Sequence, residues 1–359
     1  MYAWLHVLKS YERHISATAM AGGFAIDNMA YNRVDHPVTQ TLLIVYLSIA
    51  GFSIILLHYL EMHQEWQSKF VVKLRSYLPA LTQFMFGSLW SAFLVFYARS
   101  GAFSGSWPFL ILLSAIFICN EVFRQYHARL IFTSTLFFFA LLSYAIFMVP
   151  VFTHTIGELT FLLSGAAAVA VFALLLWLLG RLGTSALGKV RWQIAGGAVA
   201  VYATVNLLYF LNVLPPLPLA LQKTGLFHSI ERAGDVYVAT GEAPSWTAWL
   251  GFPPVIHAEP GEPIYVFSAV FAPIKLSTTI VHHWQRYDSA TGKWLTVQRV
   301  RYDIIGGRQK GYRGYTKKTG PREGLWRVDI DLEDGRMIGR TEFTVIRDNV
   351  PSLQKTMLD

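Results

Sequence analysis

A series of apolar runs, each long enough for a helix to cross a bilayer, limits how this chain can fold more than any other feature. A span needs about 20 such residues. Residues 39–60, 80–97, 107–123, 130–152 and 159–182 meet that need, and 192–213 comes close. A shorter run, 15–31, carries Asp27. In lipid every backbone polar group must be satisfied within the segment, so such runs form α-helices. The apolar pattern stops at Pro215–Pro216–Leu217–Pro218, where a helix cannot continue.

Charge placement decides the weak run. Loops on the cytoplasmic side are enriched in Lys and Arg. With the N-terminus inside, the inner segments carry Lys9 and Arg13; then Lys69, Lys73 and Arg75; then Arg124 and Arg129; then Arg181, Lys189 and Arg191. The outer loops carry Arg33, then Arg99, then no Lys or Arg between Pro150 and Glu158. The alternation holds only if 15–31 crosses. The expectation is therefore about seven transmembrane helices, an N-terminus in the cytoplasm and a C-terminus outside. No cleavable signal peptide is visible. Residues 61–77, with Phe70, Val71 and Leu74 on one side, read as an amphipathic helix on the inner face.

Only 14% of the 359 residues are charged, and most charges follow Pro215. There the period changes to two. Residues 264–271, 278–287, 325–332 and 336–346 read as strands. In 325–332, Trp326, Val328 and Ile330 alternate with Arg327, Asp329 and Asp331. Asp334–Gly335 marks a hairpin, and 289–293 a second turn. Short alternating strands with such punctuation predict an all-β antiparallel sandwich of immunoglobulin type, with domains at 1–214 and 215–359. The single cysteine, Cys119, excludes a disulfide framework and Cys-based zinc sites.

Candidate site residues fall in two groups. Between 293 and 322, nine Lys and Arg stand against one acid, Asp303. Aromatic side chains interleave with them. Trp294, Arg301, Arg308, Lys310, Tyr312, Arg313, Tyr315, Lys317 and Lys318 suit a sugar ring, an anionic polymer or a lipid headgroup. Within the apolar half, Asp27, Arg33, Asp35 and Glu121 are the polar candidates. The loop 241–263, with Trp246, Trp249 and Phe252, reads as a lid, a ligand platform or, favoured by its Trp residues, a ledge on the bilayer. Gly22–Gly23, Gly165, Ala168 and Gly196–Gly197 mark close helix contacts. His58, Glu61 and Glu65 share a helical face that reads as a solvated boundary rather than a metal site. His282 and His283 point to opposite faces of a strand, so they do not share a metal. Phosphate loops, GxSxG, HExxH and CxxC are absent, so the sequence assigns no catalytic, cofactor or metal residues.

Several pieces resemble a family of bacterial multi-pass membrane proteins that end in a domain of unknown function, family number 2914. They are Gly22–Gly23–Phe24 with Asp27, Arg33 and Asp35; the stretch from Leu214 to Leu221 continuing through Gly225 to His228; Tyr265 to Ser268; His283–Trp284; Gly324 to Asp329; and Asp334 to Arg340 with Phe343. The resemblance implies a bacterial inner-membrane protein with a periplasmic sandwich, and supplies no activity. The functional expectation is a non-enzymatic envelope accessory whose exported domain binds an envelope glycan, an anionic headgroup or an envelope protein, and not nucleic acid. The alternatives are a membrane-embedded enzyme or transporter acting on lipid-linked envelope material, and a ligand sensor.

Overall fold

The computed structural model describes residues 36–358, apart from 64, 67, 101–102, 123–128, 183–184, 216–217, 235, 244–251 and 309. The chain divides into two compact units: the first holds most of the chain up to Leu214, and the second holds Pro215 onward together with the short segments Arg99–Ser106 and Thr153–Gly157. The expected first span, 15–31, lies outside the described residues.

The first unit contains six described helices: α1 (Pro37–Met62), α2 (Lys69–Ser100), α3 (Phe103–Val122), α4 (Leu130–Thr153), α5 (Glu158–Leu182) and α6 (Ser185–Phe210). Five are long and apolar enough to cross a membrane, and α3 contributes a shorter apolar stretch, Ser106–Cys119. Large apolar side chains such as Phe52, Phe84 and Val199 stay exposed on these helices. A bilayer covers such surface; water would not tolerate so much of it. The interior is aromatic. Trp90 lies 5.1 Å from Phe139, and Phe93 lies 5.6 Å from Phe147. Small residues admit close neighbours, as the sequence predicts at two of the named positions. A Cβ on Gly165 would come within 2.8 Å of Tyr202, and one on Gly197 within 2.5 Å of Thr135.

Residues 61–77 correct one expectation. They are not a separate surface helix: α2 begins at Lys69 and runs unbroken through Pro79. The charges and the spacing of Phe70, Val71 and Leu74 suggested one. Val71 and Leu74 instead pack against Leu57, Leu60 and Leu78, so they seat the first turns of α2 on α1.

Among the described residues the second unit holds eleven strands: β1 (Ala220–Phe227), β2 (Ser229–Ala233), β3 (Val236–Glu242), β4 (Val255–His257), β5 (Pro263–Phe271), β6 (Ser277–Asp288), β7 (Lys293–Ile305), β8 (Tyr312–Thr319), β9 (Gly324–Leu332), β10 (Met337–Ile346) and β11 (Leu353–Leu358). They form three open sheets in the orders β1-β5-β8, β4-β10-β9-β6-β7 and β11-β3-β2. This overturns the immunoglobulin-like sandwich. The sheets do not close into one, and β4 pairs with β10 in parallel, so the region is not purely antiparallel.

The physical reason lies in β5. Its sequence, PIYVFSAVF, is apolar on both faces, as a strand covered on both sides must be. Ile264 and Val266 join Trp284, Trp326, Val328 and Phe343 of the five-stranded sheet in one core. Phe267 and Ala269, which point the other way, join Ile230, Ala239 and Leu358 in another. A two-layer arrangement has no place for a strand that serves two cores. The hairpins do fall where expected. β9 and β10 turn at Asp334–Gly335, with Gly335 at φ 87°, a left-handed value that suits a residue without a Cβ.

Candidate functional site on the open face of the five-stranded sheet

In β9 the alternation of LWRVDIDL sends Trp326, Val328 and Ile330 into the core. Arg327, Asp329 and Asp331 therefore project from the opposite face. Strand register builds that face across four strands. Asp329 stands opposite Arg340 of β10 on one side and His283 of β6 on the other. His283 in turn stands opposite Arg299 of β7. In the next row, Arg327 lies between Glu342 and Gln285, and Gln285 faces Thr296.

The side chains interlock. Arg340 donates to both oxygens of Asp329, at 2.5 and 3.0 Å, the forked geometry that makes such pairs strong. Arg327 Nε donates to Gln285 Oε1 at 2.6 Å, and its guanidinium lies 4.2 Å from the Trp294 ring. The Gln285 amide nitrogen is 3.0 Å from His283 Nδ1, and His283 Nε2 is 2.8 Å from Thr296 Oγ1. His283 Nδ1 also faces Asp331 Oδ2 at 3.9 Å. Burial, and then the charge of Arg299, hold the His283 imidazole below its ordinary range. Burial, and then the neighbouring Asp329, push the Asp331 carboxyl up to about 7. Asp331 Oδ1 is buried and has no hydrogen-bond partner. His283, Asp329 and Asp331 bring metal-ligand atoms within 4.8 Å of one another.

On the core side of the same strands, His282 is fully buried. Its Nε2 is 2.8 Å from Ser268 Oγ and 3.1 Å from Tyr302 Oη, and its Nδ1 is 2.9 Å from Thr316 Oγ1. Trp284 Nε1 donates to the same Thr316 oxygen at 2.9 Å. His282 and Trp284 thus share a face and His283 takes the other. Although Ser268 and His282 are in contact, no substrate can reach a pair at 0% exposure; the network pins the β5, β8 and β6 strands together.

The structure separates the basic strip. Trp294 and Arg301 lie on β7, an edge of the five-stranded sheet; Tyr312, Arg313, Tyr315, Lys317 and Lys318 lie on β8, an edge of a different sheet. Trp294 enters the polar face, and Arg301, which pairs with Val281 in the same row as Asp331, lies on that side too. Arg301 is exposed, 3.7 Å from Glu333. Arg308 and Lys310 occupy the connection between the two strands, with Arg308 5.1 Å from the Tyr312 ring. Tyr312 packs on the core. Arg313 donates to the Leu358 carbonyl at 3.1 Å and lies 5.8 Å from the Tyr237 ring. Tyr315 lies edge-on to Tyr237 at 5.8 Å. Lys317 is exposed and Lys318 half-buried.

Asp27, Arg33 and Asp35 lie outside the described residues, and Glu121 falls in the last turn of α3. Residues 244–251 of the loop 241–263, with Trp246 and Trp249, are likewise outside them, and Phe252 is exposed. His63 Nδ1 bonds the Tyr59 carbonyl of its own helix at 2.9 Å. Sequence reading missed the polar face as a site, although it placed Arg327, Asp329 and Asp331 together. The strand register that adds His283 and Arg340 was the missing information.

The family described as "Protein of unknown function (DUF2914)" matches residues 277–345, from the start of β6 almost to the end of β10. Every residue of the polar face lies within that match. No curated protein matches the chain. Among solved structures, an immunoglobulin-like protein from Pseudomonas aeruginosa is 10% identical, with 34% of this chain and 97% of that one covered and a TM-score of 0.18. The alkylpurine DNA glycosylase AlkC of Pseudomonas fluorescens, bound to DNA containing an abasic site analog, is 13% identical, with 88% and 83% covered and a TM-score of 0.20. At these TM-scores neither likeness carries an argument, and the first does not restore the immunoglobulin-like expectation. The chain is a membrane-embedded protein whose extramembrane β unit bears a DUF2914 domain.

Proposed function

We propose that this protein is a non-enzymatic binding module of the bacterial envelope. The helices anchor it in the inner membrane with the N-terminus in the cytoplasm, and the β unit, residues 215–359, works in the periplasm. The distribution of Lys and Arg among the loops supports that orientation. The partner is an envelope component with clustered negative charge, such as an anionic glycan or an anionic headgroup. The observation that carries this reading is the excess of nine cations over one acid between residues 293 and 322. Exposed Arg301, Arg308 and Lys317 keep part of that charge at the surface on two edge strands and their connection.

Replacing Arg301, Arg308 and Lys317 with Ala tests it. Full-length protein in mild detergent should lose affinity for an anionic envelope glycan or for vesicles containing anionic lipid. Its binding should also become less sensitive to salt, since exposed charges are screened over roughly 8 Å at physiological ionic strength. Unchanged binding and an unchanged salt dependence would sink the proposal. Arg313 is excluded from the set because its contacts to Leu358 and Tyr237 make it structural.

A further inference from the structure

The corner of the polar face around His283, Asp329 and Asp331 has a specific imbalance. Gln285 accepts from Arg327 through Oε1, and its amide nitrogen lies over the His283 ring, 3.0 Å from Nδ1 and 3.2 Å from Nε2. With Nε2 2.8 Å from Thr296 Oγ1, the tautomer that donates from Nε2 leaves a lone pair on Nδ1. The Nδ1 lone pair lies 3.9 Å from Asp331 Oδ2. Asp329 is held by Arg340 through one bond to each oxygen. Each of those oxygens keeps a second lone pair. Asp331 Oδ1 is buried with no partner.

The least compensated group in this corner is thus a carboxylate, beside a second carboxylate and an imidazole lone pair. The surrounding cations serve Asp329 more than Asp331, with Arg327 Nε also 3.9 Å from Asp329 Oδ2. Arg340 holds Asp329, Arg327 holds Gln285 and lies over Trp294, and Arg301 faces Glu333. Arg299, opposite His283, is exposed.

We infer that this corner binds one divalent first-row transition ion through His283 Nδ1 and the carboxylates of Asp329 and Asp331. One imidazole nitrogen with two carboxylates is a mixed donor set, which suits Mn²⁺ or Zn²⁺ better than Ca²⁺, an ion that prefers oxygen ligands throughout. Three protein ligands leave positions for water. Thr296 fixes the imidazole tautomer and Arg340 orients Asp329, the roles that outer-sphere partners play at metal centres. Arg299 and the two guanidiniums weaken the site without filling it. The inference uses other residues than Arg301, Arg308 and Lys317 and is read by metal binding, so it does not depend on that proposal.

The test uses full-length protein in mild detergent, stripped with a chelator and dialysed. Mn²⁺ binding is followed by its electron paramagnetic resonance signal. Melting temperatures are recorded with Mn²⁺, Zn²⁺ and Ca²⁺. Expected are saturable binding of one Mn²⁺ per chain and a melting temperature raised by Mn²⁺ and Zn²⁺ more than by equal Ca²⁺. Asp331→Asn and His283→Gln should each weaken Mn²⁺ binding by roughly tenfold or more. Asp331→Asn keeps the side chain's shape and removes a charge that is costly to bury, so it should fold at least as well as the parent without metal. Parent protein that binds Mn²⁺ no more tightly than Asp331→Asn, or that no transition ion stabilises, overturns the inference.

Discussion

Replacing Thr316 with Val tests the buried network directly. Thr316 is 4% exposed, and its Oγ1 meets both His282 Nδ1 and Trp284 Nε1 at 2.9 Å. Valine nearly preserves the volume and removes the oxygen. Two buried nitrogens then lose a partner, each at a cost of about 1–3 kcal/mol. The added methyl returns about 0.8 kcal/mol of apolar burial. The net loss should be roughly 1–5 kcal/mol, a large share of a typical domain's ~5–15 kcal/mol. The assay is urea unfolding of the full-length protein in detergent, followed by tryptophan fluorescence. Thr319→Val, at the exposed end of the same strand, serves as control and should stay within ~0.5 kcal/mol of the parent. If Thr316→Val also stays within that margin, the network does not pin the strands and the account of the core is wrong.

Two further outcomes follow from the same structure. Burial lowers His282 from 6.5 to about 3. The unfolded chain therefore takes up a proton that the native state refuses, and stability present above about pH 6.5 should fall by about 1.4 kcal/mol per pH unit as pH drops toward 3. Unfolding measured between pH 6.5 and 4 should show a slope that His282→Gln reduces; an identical slope in the variant would refute the assignment. In the helical unit, Gly197→Leu places a side chain against Thr135, whose short chain on α4 cannot retreat. Overpacking of this kind costs typically ~1–3 kcal/mol, so unfolding in a denaturing detergent should occur at lower detergent fraction, and a parent-like midpoint would mean that α4 and α6 are not in close contact.

How much of this was legible in the sequence differs from element to element. The apolar runs located α4 and α5 almost to the residue, because the bilayer requirement acts on each helix alone. β9 was legible for a similar reason: one face is core and the other polar. β5 was legible as a strand and misleading as architecture, since a strand apolar on both sides does not announce how many layers cover it. β8, whose sequence is YRGYTKKT, shows no apolar alternation. It reads as part of a charge run until pairing with β5 makes it a strand. The site was hidden for a related reason. His283 and Asp329 are far apart in sequence, and only register makes them neighbours. The basic strip shows the converse. Residues contiguous in sequence were dealt onto the edges of two separate sheets.

The double burial of β5 constrains how this domain can change. A one-residue slip along the strand would exchange its two surfaces. Ser268 would turn away from His282 while Phe267 would be driven into a slot shaped for a hydroxyl, and both cores would fail together. Its length and alignment are thus policed from above and below at once, and insertions should accumulate in the turns at its ends and never within it.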